Sequence, residues 1–266
     1  MLSFHYLSIG YGRHAVCRHL TARLSAGKLV ALLGTNGCGK STLLRTLAGF
    51  QPPVTEAEGG GETSLLLEGK PLASYSAREL ARLVSVVLTF RPEAEALTVA
   101  DVVEMGRIPY AGLWYGTTDN DCQQVGRAMQ LAGVEAFARR PLNSLSDGER
   151  QRVFIAKALA QATPLILLDE PTAFLDFPSK IQMLRLLRRL AHEEGKTILL
   201  STHDVEPALH LADELWLLSP DGLQCGTPDE LSANGSLGRY FSREGLTFDP
   251  EHLRFRYEAQ VVLPQQ

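Results

Sequence analysis

The sequence predicts an α/β fold: a mainly parallel sheet flanked by helices, with an N-terminal antiparallel β portion and an inserted helical subdomain. Three stretches carry that prediction. Lys28 to Leu33 is an apolar run bounded by Gly27 and Gly34, Pro164 to Leu168 is another that ends in Asp169-Glu170, and Thr197 to Ser201 is a third that ends in Thr202-His203-Asp204. Such continuous apolar runs mark strands buried on both faces of a parallel sheet. The 266 residues and 45% hydrophobic content suit one large domain with a sizeable core.

Taken in order, Leu2 to Tyr11 alternates and ends at Gly10-Tyr11-Gly12, which reads as a short strand and a turn. Tyr11 is either a base-stacking aromatic or an ordinary half-buried turn residue. After the Lys28–Leu33 strand comes Gly34-Thr35-Asn36-Gly37-Cys38-Gly39-Lys40-Ser41-Thr42, the G-x-x-x-x-G-K-S phosphate-binding loop, and Ser41 to Ala48 reads as a helix stopped by Gly49 and Pro52. Glycines let backbone N–H groups converge on phosphate oxygens, and the helix dipole points at the same anion. Lys40 can reach the β- and γ-phosphates, and the Ser41 hydroxyl can coordinate Mg²⁺.

Residues 52–63 read as a loop broken by Pro52-Pro53 and Gly59-Gly60-Gly61, Ser64–Glu68 and Val84–Thr89 as strands, and Ala77–Leu83 as a short helix. Helical patterns punctuated by Pro109, Gly112, Gly116 and Pro141 follow, with Thr98 capping one helix and Asp121–Ala132 forming another. These define a helical insertion over about 91–162. In Leu145-Ser146-Asp147-Gly148-Glu149-Arg150-Gln151, Ser146 and Glu149 fit a capping box opening a helix to about Gln161.

Asp169 and Glu170 stand at the C-terminal end of a strand, where ligands of open parallel sheets bind. Asp169 can complete a Mg²⁺ shell begun by Ser41, and Glu170 can orient and deprotonate a water. His203 ends a core strand as Asp169 does and can look at the γ-phosphate. Phe174-Leu175-Asp176 opens an amphipathic helix with Arg185, Arg188 and Arg189 on its solvated face, and Glu214–Leu218 is a further strand. Beyond Gly226 the tail reads as helical and loop-like, with Tyr240, Phe241, Phe255 and Tyr257 available to pack.

The net charge of −4 supplies no basic excess for nucleic acid. Cys17, Cys38, Cys122 and Cys225 are scattered and read as reduced thiols, with Cys38 a tolerated loop position whose alkylation would block nucleotide entry. No secretory leader and no span of about 18 apolar residues is apparent, so membrane association would come through a partner.

Together these residues make the chain resemble the ATP-binding cassette (ABC) family from Tyr11 to Gly226: the phosphate loop, Leu145–Gln151, Leu165–Glu170, Leu175-Asp176 and His203 occur in family order. The resemblance implies a P-loop NTPase core over 1–226 and a C-terminal extension over 227–266 packed on it. It implies an ATPase whose homodimer sandwiches two ATP molecules, with Ser146 and Gly148 of one copy contacting the γ-phosphate held by Lys40 of the other. Tyr11 would stack on adenine, Asp176 would communicate across the dimer, and His203 would hold the γ-phosphate and the attacking water. The helical insertion would dock on integral-membrane permease subunits at the cytoplasmic face of the inner membrane, and through them serve a periplasmic or extracellular substrate-binding protein.

Met105-Gly106-Arg107-Ile108-Pro109-Tyr110 and Leu80-Ala81-Arg82 resemble cassettes of importers for iron–siderophore complexes, haem and cobalamin. Rival expectations are an exporter cassette, a soluble ABC ATPase and a small-molecule kinase. Two positions depart from the family pattern. Thr89 stands where a metal- and water-contacting glutamine is usual, so it would serve the metal through its oxygen or a bridging water. Asp147 replaces the first glycine of the signature pair and is expected to point away from phosphate.

Overall fold

The computed structural model describes residues 1–55, 63–88, 97–112, 118–241 and 246–257. The chain opens with β1 (Leu2–Tyr11) and β2 (His14–Leu24), an antiparallel pair longer than the short strand expected from the sequence. Bulges at Tyr6 and His19, both with positive φ, break the strict alternation that would have revealed β2. Then follow β3 (Leu29–Gly34), α1 (Lys40–Leu47), β4 (Ser64–Leu67), β5 (Lys70–Pro71), α2 (Ala77–Leu80) and β6 (Val84–Val87).

The helical insertion comprises α3 (Val99–Glu104), a 3₁₀ turn over Met105–Tyr110, α4 (Asp119–Ala132) and α5 (Asp147–Ala160). The chain then returns through β7 (Leu165–Asp169), α6 (Phe177–His192), β8 (Thr197–Thr202), α7 (Val205–Leu211), β9 (Glu214–Ser219) and β10 (Gly222–Gly226). After these come α8 (Pro228–Ala233), α9 (Ser236–Phe241), β11 (Leu246–Asp249) and β12 (Arg254–Tyr257).

Two sheets form the core. β2-β1-β4-β5 is antiparallel; β10-β9-β3-β8-β7-β6 is parallel except for β10 on its edge. Leu2, Phe4, Leu7 and Ile9 of the first sheet pack with α1 and with Val30, Leu32 and Trp216 of the second. α6 covers the opposite face through Met183, Leu184, Leu187 and Leu190, while Arg185, Arg188 and Arg189 stay exposed.

The Gly106–Tyr110 segment braces the helices of the insertion against one another and joins them to the α2 segment. Arg107 is buried, donates to Asp121 Oδ1 at 2.8 Å and to Ala160 O at 2.7 Å, and lies 3.9 Å from the Tyr110 ring centroid. The Thr118 hydroxyl, then Arg107, hold the Asp121 carboxyl down at about 2. A Cβ on Gly106 would meet Lys157 O at 2.3 Å, so only glycine lets this turn approach α5. Pro109 O accepts from Arg78 and Arg82, and Tyr110 OH donates to Gln161 O.

The tail differs from the helical and loop-like reading, since its described residues include the β11–β12 hairpin. Its four-residue strands fall below what periodicity can reveal. Phe255 of the hairpin meets Phe241 edge-on and lies tilted against Phe248, and this aromatic group packs with Ala31, Leu33, Leu215 and Leu217 of the main sheet. The side chain of Tyr257 lies outside the described residues.

Candidate functional site: a phosphate loop beside two strand-end carboxylates

The parallel register assembles the site. Leu33 pairs with Thr202 and Asp169 with Ser201, so the ends of β3, β8 and β7 lie side by side. This places the phosphate loop, Asp169-Glu170 and His203 along one sheet edge. Gly37 and Gly39 have φ of 78° and 105°, which a side chain would strain. A Cβ on Gly34 would lie 2.4 Å from Cys38 Sγ and 3.1 Å from Leu218 O, so a side chain there would force its neighbours to shift.

Thr35, Asn36 and Gly37 are exposed at the loop's rim, and α1 begins at Lys40 directly behind it. Lys40 Nζ donates to Gly34 O at 2.9 Å and Thr35 O at 3.2 Å, which sets the ammonium at the loop's mouth. Cys38 is buried, and burial pushes its thiol up, keeping it protonated rather than a reactive thiolate. That weakens the expectation that alkylation would gate nucleotide entry.

Ser41 Oγ donates to Asp169 Oδ1 at 3.0 Å. A hydroxyl and a carboxylate at this separation make a hard oxygen pair suited to Mg²⁺, so the residues present fit that ion. Thr89 lies outside the described residues. Ser201, whose role the sequence reading missed, donates to Asp169 Oδ1 at 2.7 Å and accepts from the Glu170 amide at 2.9 Å. It therefore fixes both carboxylate residues, and only the strand register reveals it.

Glu170 has φ of 50°, a left-handed conformation that costs a bulky residue of order 1 kcal/mol or more. The turn aims its side chain at His203, whose Nε2 lies 2.6 Å from Glu170 Oε1. Both side chains retain solvent access, at 29% and 43% for Glu170 and His203.

Tyr11 is exposed at the end of β1, and its hydroxyl lies 3.2 Å from Thr42 Oγ1, so the ring stands beside α1 with an open face. Val16, also missed from sequence, is 38% exposed and lies next to Gly39, where an added Cβ would meet it at 3.1 Å. Tyr11 and Val16 thus bring apolar surface to the loop, as a planar base requires.

Ser146 stands apart from this edge, exposed at the N-cap of α5. Its hydroxyl donates to Glu149 Oε2 at 2.8 Å and accepts from the Glu149 amide at 3.3 Å, the predicted capping box. The Asp147 carboxylate lies 3.7 Å from Arg150, and Gly148 is partly open next to Leu175. Asp176 caps α6 by accepting from Ser179 N at 3.0 Å. None of the contacts described above links Ser146, Gly148 or Asp176 to Lys40 within one copy.

A phosphate loop, strand-end carboxylates and a histidine on one parallel sheet edge, with an inserted helical subdomain and an antiparallel sheet, define a nucleotide-hydrolysing cassette. The ABC transporter family model matches residues 17–173. The chain is 34% identical over 244 residues to the ferric enterobactin transport ATP-binding protein of Escherichia coli K12, covering 91% of this chain and 88% of that one. It is 41% identical over 243 residues to the cobalamin import ATP-binding protein of Halobacterium salinarum, covering 91% of this chain and 55% of that one. Its fold matches a metal-chelate type ABC transporter solved in an inward-facing conformation, with TM-score 0.78, 28% identity and coverage of 98% and 99% of the two chains. The chain belongs to the ABC transporter family and is an ABC ATPase.

Proposed function

We propose that this chain is the ATP-hydrolysing subunit of an importer for a metal chelate: an iron–siderophore complex, haem or cobalamin. The observation that carries this reading is the Gly106–Tyr110 segment. It supports Ile108, 62% exposed, at the rim of a groove of about 1090 Å³ that Leu72, Leu80 and Val86 also line. An exposed apolar wall of this kind suits a helix from an integral-membrane partner. No helix among the described residues is long and apolar enough to cross a membrane. The chain would therefore sit peripherally on the cytoplasmic face of the inner membrane, held by its permease.

Within the site, Lys40 and the loop amides bind the β- and γ-phosphates, and Tyr11 and Val16 hold the base. Ser41 and Asp169 would hold Mg²⁺, which neutralises charge between the phosphates when bound. Glu170 orients and deprotonates the attacking water, and His203, beside Glu170, holds the γ-phosphate and that water. Ser146 and Gly148 of a second copy complete the cage around the γ-phosphate, and Asp176 lies at that junction.

The test is affinity purification from gently solubilised membranes, followed by ATPase assay of the complex with ferric siderophores, haem or cobalamin and the matching binding protein. Co-purification of a many-spanned membrane protein and chelate-stimulated hydrolysis are expected. A chain without a membrane partner, driven by a soluble factor, would refute the importer reading in favour of a soluble ABC ATPase.

A further inference from the structure

Asp204 sits at the N-cap position of α7, a place where an aspartate ordinarily accepts a hydrogen bond from the helix. Ser76, Thr98, Thr118, Ser146, Asp176 and Thr227 all do so at the helices they open. Asp204 makes no cap bond. Its carboxylate turns instead to Lys180, whose Nζ donates to Oδ1 at 2.6 Å, and to Thr172, whose hydroxyl donates to Oδ2 at 2.7 Å. The pair is sheltered, with the Lys180 and Asp204 side chains 26% and 19% exposed, and Thr172 is buried. Desolvation strengthens such a charge-assisted contact beyond a surface ion pair.

The contact joins two segments that matter for hydrolysis. On one side, Asp204 directly follows His203, and its amide donates to Thr202 Oγ1 at 3.0 Å. On the other, Lys180 N donates to Asp176 O at 3.0 Å, one turn inside α6. A continuous path therefore runs from Asp176 through Lys180 and Asp204 to His203, and from His203 Nε2 to Glu170 Oε1. Each link is a hydrogen bond or a single peptide step.

We propose that Lys180 is a positioning residue for hydrolysis. Its ion pair with Asp204 fixes the backbone carrying His203 and ties it to the helix capped by Asp176, so that His203 meets Glu170 only when the Asp176 segment is in place. This rests on the assignment of Glu170 and His203 to hydrolysis.

The test is steady-state ATPase of the purified full chain with Lys180→Met, Lys180→Arg, Asp204→Asn, the Lys180→Met/Asp204→Asn double variant and His203→Ala, with melting temperatures as the check on folding. Lys180→Met is expected to lose roughly 10- to 100-fold in kcat, the scale on which partners of functional groups act. The KM for ATP should hold within about twofold, since the phosphate loop is untouched. Lys180→Arg, which keeps the charge, should recover most of the rate. The double variant should fall no further than either single one, because both cut the same tie.

Wild-type kcat in Lys180→Met beside an inactive His203→Ala would overturn the proposal. So would losses that add in the double variant, or no rescue by arginine. Full activity in His203→Ala would instead refute the assignment of His203 itself. Should Lys180→Met fold poorly, Asp204→Asn, which keeps the side chain's shape, gives the same kcat and KM comparison.

Discussion

The sheet edge and the helical insertion hold their functional groups in opposite ways. At the edge, Asp169, Glu170 and His203 are fixed by side chains from other elements of the fold: Ser41 of α1, Ser201 of β8 and one another, at 2.6 to 3.0 Å. In the insertion, the Ser146 hydroxyl is held by Glu149, three residues along its own helix. The edge is a finished geometry inside one copy. Ser146 is an exposed helix start whose hydroxyl is engaged locally, so a role on phosphate requires a surface brought to it from outside. This is the arrangement expected if, as proposed, Ser146 of one copy completes the site of another in a head-to-tail dimer.

The largest effect that would break this contrast lies in the insertion's anchor. Arg107→Ala would leave Asp121 and Ala160 O without their buried partner, and about 3–5 kcal/mol of stability should be lost. Thermal unfolding reads this, and nucleotide binding by the edge should survive at temperatures where the variant is folded. The same anchor has a pH signature. Because the Asp121 carboxyl is depressed from 3.8 to about 2 in the fold, its contribution is complete above 3.8 and lost as pH falls toward about 2. Acid unfolding of Arg107→Ala should accordingly show a weaker pH dependence across that window than the parent chain.

Next in size, Glu170→Gln should bind ATP yet hydrolyse it roughly 10²-fold or more slowly, as expected on losing a general base. Single-turnover assays with a parallel binding titration separate the two effects, and near-normal turnover would contradict the role given to Glu170. Lys40→Ala should show the converse loss, in affinity, and unchanged binding would count against the loop assignment. The smallest effect is expected at the insertion's edge. Ser146→Ala removes a cap worth about 1 kcal/mol and should lower the melting temperature slightly. It sharpens the comparison if turnover falls while ATP binding to the loop stays intact.

Much of this was legible in the sequence for one physical reason: local chemistry leaves local patterns. The phosphate loop, the cap at Thr98, the capping box at Ser146 and the apolar strands β3, β7 and β8 are all written within a few consecutive residues. Contacts made by register are not. Ser201 meets Asp169 across 32 positions and Val16 meets Gly39 across the fold, and neither has a neighbour that announces it. Lys180 reads as one more charge on an amphipathic helix until Asp204 is seen to forgo its cap for it. In the sequence the Gly106–Tyr110 segment shows only as a resemblance to importer cassettes. Its physical content is a buried guanidinium and a glycine against α5, which spacing alone does not express.

The most direct measurement is the mass of the Glu170→Gln chain by sedimentation, with and without saturating MgATP. A shift from monomer to dimer on adding ATP, abolished when Gly148 is replaced by a bulky residue, is the expected result. A chain that stays monomeric with ATP bound at Lys40 would show that Ser146 and Gly148 do not complete the site of a second copy.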